Sequence, residues 1–493
     1  MQVAVVSTLK RCKSVFQCIN KLSSSKLKSN FTPKVDVRCL CSSSRRYQGR
    51  PVYNGESSEL YDVVIAGGGM AGRAMACALG QEPSLQNHKI LLLEGAAKPE
   101  MGKLPEHYSN RVCALNPGAV DLLDSVGAWE EMVKQRVKPF CRMQVWDACS
   151  DAVITMNNDD LSEYLAYIVE NNVTIEALST QLEKLSSNVR VEYETLVTNV
   201  HIPQQNVVDE ANWAEVELHN GECVKARLLI AADGANSSIR KMCGIDVLGW
   251  EYGQSGVVAT LHLSEPSENN VAWQRFLPTG PIAMLPLSDT QSSLVWSITT
   301  DKAKGLMQLT DEEFVEEINN AFWDNSHHDP TIDSISQFFQ GILSTISPEG
   351  SSVRQLPPSV ISIDPGSRGR FPLALGHAMH YVKPRLALIG DAAHRIHPLA
   401  GQGINLGFGD VECLADKLVE AAKLGKDLGS LHHLLEYESS RQRHIIPIMA
   451  AVDGLKRLYS TDNQAVVLVR SLGLQATNAM TPLKNAFISG AST

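Results

Sequence analysis

The chain lacks any apolar run of the length that a membrane-spanning helix requires. A span needs about 18 consecutive apolar residues, whereas the longest candidate runs, 386–389 and 445–452, are far shorter, and Pro447 interrupts the second. Disorder is equally disfavoured, because 44% of the 493 residues are hydrophobic and 20% are charged, close to the globular average. The sequence therefore predicts a folded protein that is soluble or only peripherally bound to a membrane.

Cysteines at metal-binding or redox spacing are also missing. The eleven cysteines are scattered, and no two of them form a C-x-x-C pair. This distribution provides no disulfide framework and suits a reducing compartment. It also argues against a zinc site.

Acidic residues are nearly absent from the first 50 positions. That segment contains eleven Lys and Arg and one acid, Asp36, so residues 51–493 retain 33 of the 44 basic and 53 of the 54 acidic residues, a net charge of −20. A basic, Ser-rich start with an apolar face is typical of a mitochondrial presequence; a disordered basic tail is the alternative. The acidic remainder argues against nucleic-acid binding, which requires Lys and Arg to neutralise phosphates.

Several apolar runs end on glycine or an acidic residue. Strands are predicted at 61–66, 89–94, 228–232 and 386–389, and a helix of small residues at 70–79. Continuous apolar strands are typical of a parallel sheet that is covered on both faces. Between the last two strands, short β-rich runs over 256–300 are typical of an antiparallel sheet.

The first motif is Gly67-x-Gly69-x-x-Gly72, between a predicted strand and helix, with Glu94 at the end of the next strand. In a dinucleotide-binding turn the first glycine turns the chain, the second admits a pyrophosphate and the third lets the helix pack on the sheet. The helix N-terminus then faces the phosphates, and Glu94 can accept hydrogen bonds from a ribose. A glycine-rich structural turn is the weaker alternative. Arg73 occupies a position where small residues usually pack, and it either points outward or reaches a phosphate.

The second motif runs from Gly390 to Asn405. Asp391 ends a strand, where its carboxylate can bind sugar or ribityl hydroxyls, and Gly401-Gln402-Gly403 opens a helix whose free N–H groups suit negative charge on a flavin. His394 and His397 have the spacing of a metal pair but lack further ligands nearby. We therefore expect them to pack beside a cofactor and orient it.

Asp233-Gly234 forms the third motif, directly after a strand. Asp233 could accept hydrogen bonds from the glycine-rich loop and organise a phosphate site. Because Asp-Gly is also a common turn, the motif is ambiguous by itself and favours a function only beside the other two.

In order and spacing, these three motifs resemble the single-component flavin aromatic hydroxylases, the p-hydroxybenzoate hydroxylase superfamily. The resemblance covers residues 60–480. The segments 109–112, which contains Arg111, 273–278 and 397–410 resemble the ubiquinone-biosynthesis branch, and the chain is most similar to its mitochondrial eukaryotic members. The implied α/β fold has an FAD-binding Rossmann-like lobe of discontinuous segments, an inserted antiparallel β-sheet substrate lobe and C-terminal helices.

This resemblance implies a domain division and a set of cofactor-binding residues. The division is a presequence at 1–50, an FAD-binding domain at 58–145, 220–250 and 383–425, a mixed connecting segment at 146–219, a mainly β substrate domain at 251–382, and a C-terminal helical region at 426–493. The residues implied to bind FAD are Gly67, Gly69, Gly72 and Asp233 near the pyrophosphate, Glu94 on the adenosine ribose, Arg111 at the cofactor, Gly390 and Asp391 at the ribityl chain, and Gly401, Gly403, Ile404 and Asn405 towards the isoalloxazine. No catalytic acid or base and no metal is implied.

The implied activity is hydroxylation of the aromatic ring of a polyprenylated 4-hydroxybenzoate or phenol intermediate in ubiquinone biosynthesis, with O2 and a flavin hydroperoxide. Electrons are expected from ferredoxin and its reductase. Two alternatives on the same fold stay open, a flavin dehydrogenase or prenyl reductase, and a non-catalytic subunit of a biosynthetic complex.

Other ubiquinone-biosynthesis proteins and the matrix side of the inner membrane are the further expected partners. The candidate docking residues are Ile445, Ile446, Ile448, Met449, Val452 and Leu455. An apolar stripe on a helix more often packs in the core than docks on a partner. Core packing is therefore the favoured interpretation of these residues, and docking is the alternative. We expect deletion of 460–493 to weaken membrane or complex association and to leave FAD bound.

Overall fold

The structure is a computed structural model that describes most of the chain after residue 58. The described residues are 59–157 apart from 100, 101 and 103, then 164–203, 213–264, 268–326 and 355–479, with 332, 334, 335 and 337. The predicted presequence at 1–50 lies outside them.

The described strands and helices alternate in the first half of the chain and separate later. The strands are β1 (Leu60–Ala66), β2 (Ile90–Leu93), β3 (Val112–Leu115), β4 (Lys138–Phe140), β5 (Arg142–Asp147), β6 (Val153–Asn157), β7 (Ala166–Glu170), β8 (Val189–Glu192), β9 (Val197–His201), β10 (Ala214–Leu218), β11 (Cys223–Ala231), β12 (Val247–Leu263), β13 (Val271–Leu277), β14 (Gly280–Pro286), β15 (Gln291–Thr299), β16 (Val360–Ile363), β17 (Gly369–Ala378), β18 (Val382–Lys383), β19 (Leu386–Leu388) and β20 (His394–Arg395). The helices are α1 (Met70–Gln81), α2 (Pro117–Ser125), α3 (Ala128–Gln135), α4 (Asn171–Lys184), α5 (Ser238–Met242), α6 (Thr300–Leu306), α7 (Asp311–Trp323), α8 (Gly403–Lys423), α9 (Leu431–Tyr459) and α10 (Gln464–Ala479).

The first sheet has the order β18-β19-β11-β1-β2-β8, and β10 and β9 extend it from β11. The pairs that join β19, β11, β1, β2 and β8 are parallel. Val63, Val64 and Ile65 in β1 are at most 1% exposed, because helices cover the sheet. This burial explains why its strands are continuously apolar.

The second sheet has the order β20-β17-β12-β15-β14-β13-β5-β6, with β16 beside β12. Its described pairs are antiparallel except for β5 and β13, which run parallel. Trp146 of β5, Trp273 of β13 and Phe314 of α7 belong to one buried cluster on this sheet. The α/β fold with an inserted β lobe is thus as predicted.

The predicted connecting segment at 146–219 is shared among the three described sheets. Strands β5 and β6 join the second sheet, β7 pairs with β3 and β4 in a small third sheet, and β8 to β10 join the first. Strand pairing across long sequence separations produces this distribution, which local patterns do not reveal. The domain boundaries themselves stay predictions.

The C-terminal helices are largely part of the core. Ile445, Met449 and Val452 are at most 5% exposed, whereas Ile446 and Leu455 are 48% and 40% exposed. The three buried residues pack in the core, as the favoured interpretation of the stripe predicts, and docking through the exposed ones stays a prediction. Among the described residues, none of the helices combines the length and apolar character that crossing a bilayer requires.

Candidate functional site

Three strand ends bring the three motifs to one edge of the first sheet. Ala66 in β1 pairs with Ala231 in β11, and Ala231 pairs with Leu388 in β19. The Ala232 N–H donates to the Ala66 carbonyl at 2.8 Å, and the Ile389 N–H donates to the Ala231 carbonyl at 3.0 Å. The glycine loop, the Asp233 turn and the Gly390-Asp391 turn thus follow neighbouring parallel strands.

The glycines of the first motif have different surroundings. Gly67 has a φ of +111°, and a Cβ there would lie 2.3 Å from the Ala232 carbonyl oxygen. A Cβ at Gly72 would lie 1.9 Å from the Gly67 carbonyl oxygen, whereas one at Gly69 would meet nothing within 4 Å. Gly67 and Gly72 therefore permit close packing, and Gly69 faces open space at the start of α1. This division matches the roles expected of a pyrophosphate-binding turn.

Asp233 is bonded differently from the sequence expectation. Its Oδ2 accepts the N–H groups of Ser238 and Ile239 at 2.8 and 3.2 Å, at the start of α5, rather than N–H groups of the glycine loop. Its Oδ1 is buried and has no hydrogen-bond partner in the part of the chain that the structure describes. A buried carboxylate oxygen without a partner is costly, so this atom suits a donor supplied by a ligand.

Asp391 lies at the turn after β19. The residue is exposed, yet burial raises the pKa of its carboxyl above the ordinary value, against the opposing effects of His394 and Arg395. A carboxyl that solvent reaches but that protein closely surrounds is typical of a cleft. Gly390, with a φ of +59°, makes the turn that places it there.

A buried charge cluster, not predicted from the sequence, supports this turn. Asp410 of α8 is 0% exposed; its Oδ2 lies 2.6 Å from His394 Nε2 and accepts the Gly390 N–H at 2.9 Å. Its Oδ1 accepts Arg441 Nε at 2.7 Å. The available clue was an acid on the apolar face of a predicted helix.

The start of α8 closes the same region. Gly401 has a φ of +63°, and a Cβ at Gly403 would meet nothing within 4 Å. Asn405 donates through Nδ2 to the Ala114 carbonyl at 2.9 Å and accepts the Asn116 N–H at 3.2 Å, so its amide fastens α8 to β3. Ile404 packs partly buried against the main core.

Two further predicted residues, Glu94 and Arg111, follow or precede strands and have different surroundings. Glu94 accepts the Ala96 N–H through Oε1 at 2.7 Å, and its other oxygen lies near Gly68. Arg111 is exposed at the start of β3; its N–H donates to Ser109 Oγ and its carbonyl accepts the Asn171 N–H. Glu94 therefore lies beside the glycine loop, whereas the described contacts of Arg111 are with Ser109 and Asn171, and its place at the cofactor stays a prediction.

The two histidines have separate partners. His394 bonds to Asp410, whereas His397 is 0% exposed, accepts the Leu399 N–H through Nδ1 at 3.1 Å and packs against Tyr252 with ring centroids 5.1 Å apart. Burial, with Lys456 nearby, lowers the pKa of His397 to about 4. Their contacts favour orientation of the loop over binding of a common metal ion.

The arrangement fits a bound dinucleotide. The cleft offers the N-terminus of α1, which no described side chain caps, open glycines at positions 69, 234 and 403, and the carboxylates of Asp233 and Asp391. Helix N-terminal N–H groups bind phosphate, and carboxylates accept ribose or ribityl hydroxyls.

Comparison with known proteins agrees with this interpretation. The FAD binding domain family model matches residues 60–340 and 357–451. Proteins named ubiquinone biosynthesis monooxygenase COQ6, mitochondrial, are 54% identical in Danio rerio, over 88% of this chain and 90% of that protein, and 52% identical in Homo sapiens, over 89% and 94%.

Solved structures share the fold. The p-nitrophenol 4-monooxygenase PnpA from Pseudomonas putida superposes with a TM-score of 0.63 at 17% identity, over 88% of this chain and 99% of that one. PqsL from Pseudomonas aeruginosa, described as a probable FAD-dependent monooxygenase, has a TM-score of 0.59 at 21% identity, over 84% and 99%. At these identities the likeness concerns the fold alone.

Proposed function

Because the chain belongs to the family of mitochondrial ubiquinone-biosynthesis monooxygenases and has their FAD-binding domain, we propose that it hydroxylates the aromatic ring of a polyprenylated 4-hydroxybenzoate or related phenol. The protein is an FAD-dependent monooxygenase, as the resemblance implied. The observation that favours the proposal is the cleft at the ends of β1, β11 and β19, where open glycines and carboxylates converge.

The reaction replaces a ring C–H with C–OH. One atom of O2 enters the ring, and the other leaves as water after two electrons and two protons are supplied. Bound FAD supplies the oxygen chemistry. We assign the glycine loop and Asp233 to the pyrophosphate, Glu94 to the adenosine ribose, Asp391 to the ribityl chain and the 401–405 segment to the isoalloxazine.

The phenol ring is proposed to bind between the 397–405 loop and the second sheet. Leu399 of this loop packs in one buried cluster with Val145 of β5 and Phe276 of β13, and His397 contacts Tyr252 of β12. The loop and the inserted sheet therefore pack together through apolar side chains, and a ring bound at this contact would be shielded from water, as oxygen transfer requires.

We propose ferredoxin and its reductase as the electron source. The chain contains a single dinucleotide fingerprint, at Gly67–Gly72, which is consistent with one bound FAD and an external protein donor. Single-turnover reduction by reduced ferredoxin, compared with NADPH, tests this. Reduction by NADPH alone at a catalytically sufficient rate would contradict it.

Peripheral contact with the inner membrane is proposed through the exposed face of α9, which retains Ile446 and Leu455 of the predicted docking residues and omits the buried ones. Its exposed positions include a continuous apolar set: Ile446, Pro447, Ala450, Ala451, Gly454, Leu455 and Leu458. Arg443 and Arg457 flank this set, and Arg457 lies 5.6 Å from the ring of Trp250, which is itself 39% exposed. An apolar face with basic neighbours suits a bilayer that contains anionic lipids.

Sedimentation with vesicles of phosphatidylcholine and cardiolipin tests this contact. We expect Ile446→Glu to weaken binding, whereas Leu424→Glu, at a site 60% exposed at the end of α8, serves as the matched control and leaves binding intact. Equal loss in both variants, or no binding by the unmodified protein, would contradict the proposed face. Contacts with other ubiquinone-biosynthesis proteins are also proposed, on the basis of the resemblance to the ubiquinone-biosynthesis branch.

The activity is tested with the purified holoenzyme. We expect a yellow protein with a flavin absorption spectrum that, after reduction, incorporates one labelled oxygen atom from O2 into a prenylated hydroxybenzoate. Steady turnover without O2 would instead indicate a dehydrogenase or prenyl reductase. A protein that stays colourless with added FAD would indicate a non-catalytic subunit.

A further inference from the structure

Arg73 is the first residue after the glycine motif, and its side chain turns inward. The residue is 2% exposed. Its Nε donates to the Gly68 carbonyl at 2.6 Å, and Nη1 donates to Ser179 Oγ at 2.9 Å and to the Tyr193 hydroxyl at 3.3 Å. The sequence left open whether Arg73 points outward or reaches a phosphate; the side chain does not point outward, and it binds the buried side of the glycine loop.

The bond to Gly68 determines which way the next peptide N–H points. In a trans peptide the carbonyl of one residue and the N–H of the following residue point in opposite directions. Since Arg73 holds the Gly68 carbonyl on the buried side, the Gly69 N–H points away from it. Gly68 is buried and Gly69 is exposed, with open space where its Cβ would stand.

The charge of Arg73 is only partly compensated within the protein. The carboxylate that lies nearest in the described contacts belongs to Glu94, with Nη2 and Oε2 4.0 Å apart. A buried guanidinium needs hydrogen bonds and an opposite charge, and a second negative charge at the glycine loop would improve the balance. The same guanidinium offsets the repulsion between Glu94 and an arriving anion.

We propose that Arg73 is a positioning residue for the FAD pyrophosphate. It orients the Gly69 amide towards the phosphates and places a positive charge beneath the loop without contacting them. The inference deepens the assignment of FAD to this cleft but does not depend on the substrate or the electron donor, because its test measures binding by the apoprotein alone.

The test is titration of the apoprotein with FAD, monitored by flavin fluorescence. ADP, which has a pyrophosphate but no flavin, is titrated as a competitor, and its Kd follows from the displacement of FAD. Charge-assisted hydrogen bonds are each worth roughly 1.5–3 kcal/mol, so we expect Arg73→Ala to raise both Kd values about 10- to 100-fold. Arg73→Lys retains the charge but cannot bond Gly68 and Ser179 together, and we expect it to recover part of the loss.

Ser179→Ala is the matched control. It removes one anchor of Arg73 and retains both its charge and its bond to Gly68, so we expect FAD affinity close to that of the unmodified protein. Wild-type affinity for FAD and ADP in Arg73→Ala overturns the proposal, and so does a loss in Ser179→Ala as large as in Arg73→Ala. If Arg73→Ala fails to fold, Arg73→Gln takes its place, because Gln retains a donor to the Gly68 carbonyl but carries no charge. Unchanged ADP affinity in Arg73→Gln would overturn the proposed contribution of the positive charge.

Discussion

Substitution of Asp410 by Asn tests the support beneath the Gly390-Asp391 turn. The carboxylate is 0% exposed and binds three groups, His394, Arg441 and the Gly390 N–H, at 2.6 to 2.9 Å. An Asn side chain has the same shape but no charge, and its amide donors would face Arg441 or His394. Arg441, whose side chain is 10% exposed, would remain as a buried charge without its carboxylate.

The expected loss of stability is large. Removing one partner of a buried ion pair costs about 3–5 kcal/mol, a substantial part of the roughly 5–15 kcal/mol that stabilises a typical folded domain. We also expect FAD to dissociate more readily, because a neutral amide oxygen holds the Gly390 N–H less strongly than the carboxylate does, and this turn presents Asp391.

The assay is denaturant unfolding of the holoenzyme, followed by flavin fluorescence and circular dichroism. Glu436→Gln is the matched control, because the Lys417–Glu436 pair, 2.8 Å apart, joins the same helices α8 and α9 with side chains 28% and 50% exposed. Exposed pairs contribute about 0–1 kcal/mol. Comparable losses in the two variants would refute the argument that burial makes the Asp410 cluster important.

The same cluster predicts a dependence on pH. Burial opposes ionisation of Asp410, but the charges and hydrogen bonds of His394 and Arg441 prevail and hold the pKa of the carboxyl below its ordinary value. A depressed carboxyl pKa stabilises the fold above the unfolded-state value, and this stabilisation is lost as pH falls through the folded-state value. The difference between the unmodified protein and Asp410→Asn should therefore shrink in acid.

Three further predictions concern other parts of the molecule. Arg470 of α10 donates to both oxygens of buried Asp147 at 2.7 and 2.9 Å, so Arg470→Met should lower the free energy of unfolding in denaturant by about 3–5 kcal/mol. Deletion of 460–493 should reduce soluble yield, whereas the sequence alone predicted only weaker membrane or complex association. Unchanged stability would show that α10 is not anchored at Asp147. Gly69→Ala should leave the melting temperature of the apoprotein unchanged and weaken FAD binding. Gly72→Ala should impair folding, because its Cβ would lie 1.9 Å from a carbonyl oxygen. Normal FAD affinity in Gly69→Ala would contradict the assignment of the glycine loop to the pyrophosphate. His397, with a pKa lowered to about 4, should contribute roughly 3 kcal/mol of stability above pH 6.5 that is lost as pH falls towards 4, so His397→Gln should flatten the acid limb of the stability profile.

Much of the fold and the identity of the cofactor were predictable from the sequence, whereas the individual cofactor-binding residues stay predictions. A buried strand must be apolar, a tight phosphate-binding turn must contain glycine, and an acid at a strand end is exposed to ligand; each requirement involves neighbouring residues. The glycine motif at 67–72, Glu94 and Asp391 are therefore recognisable without coordinates, and so are FAD and the family.

The buried charges depended on contacts between distant segments. Nothing near Arg73 in the chain indicates that its guanidinium would bind Ser179, 106 residues further on. Asp410 gains its importance from His394 and Arg441, which lie on other elements. Asp233 likewise binds the start of α5 rather than the glycine loop. A polar side chain is stabilised in the interior only where specific partners converge, and that convergence is a property of the packed tertiary structure.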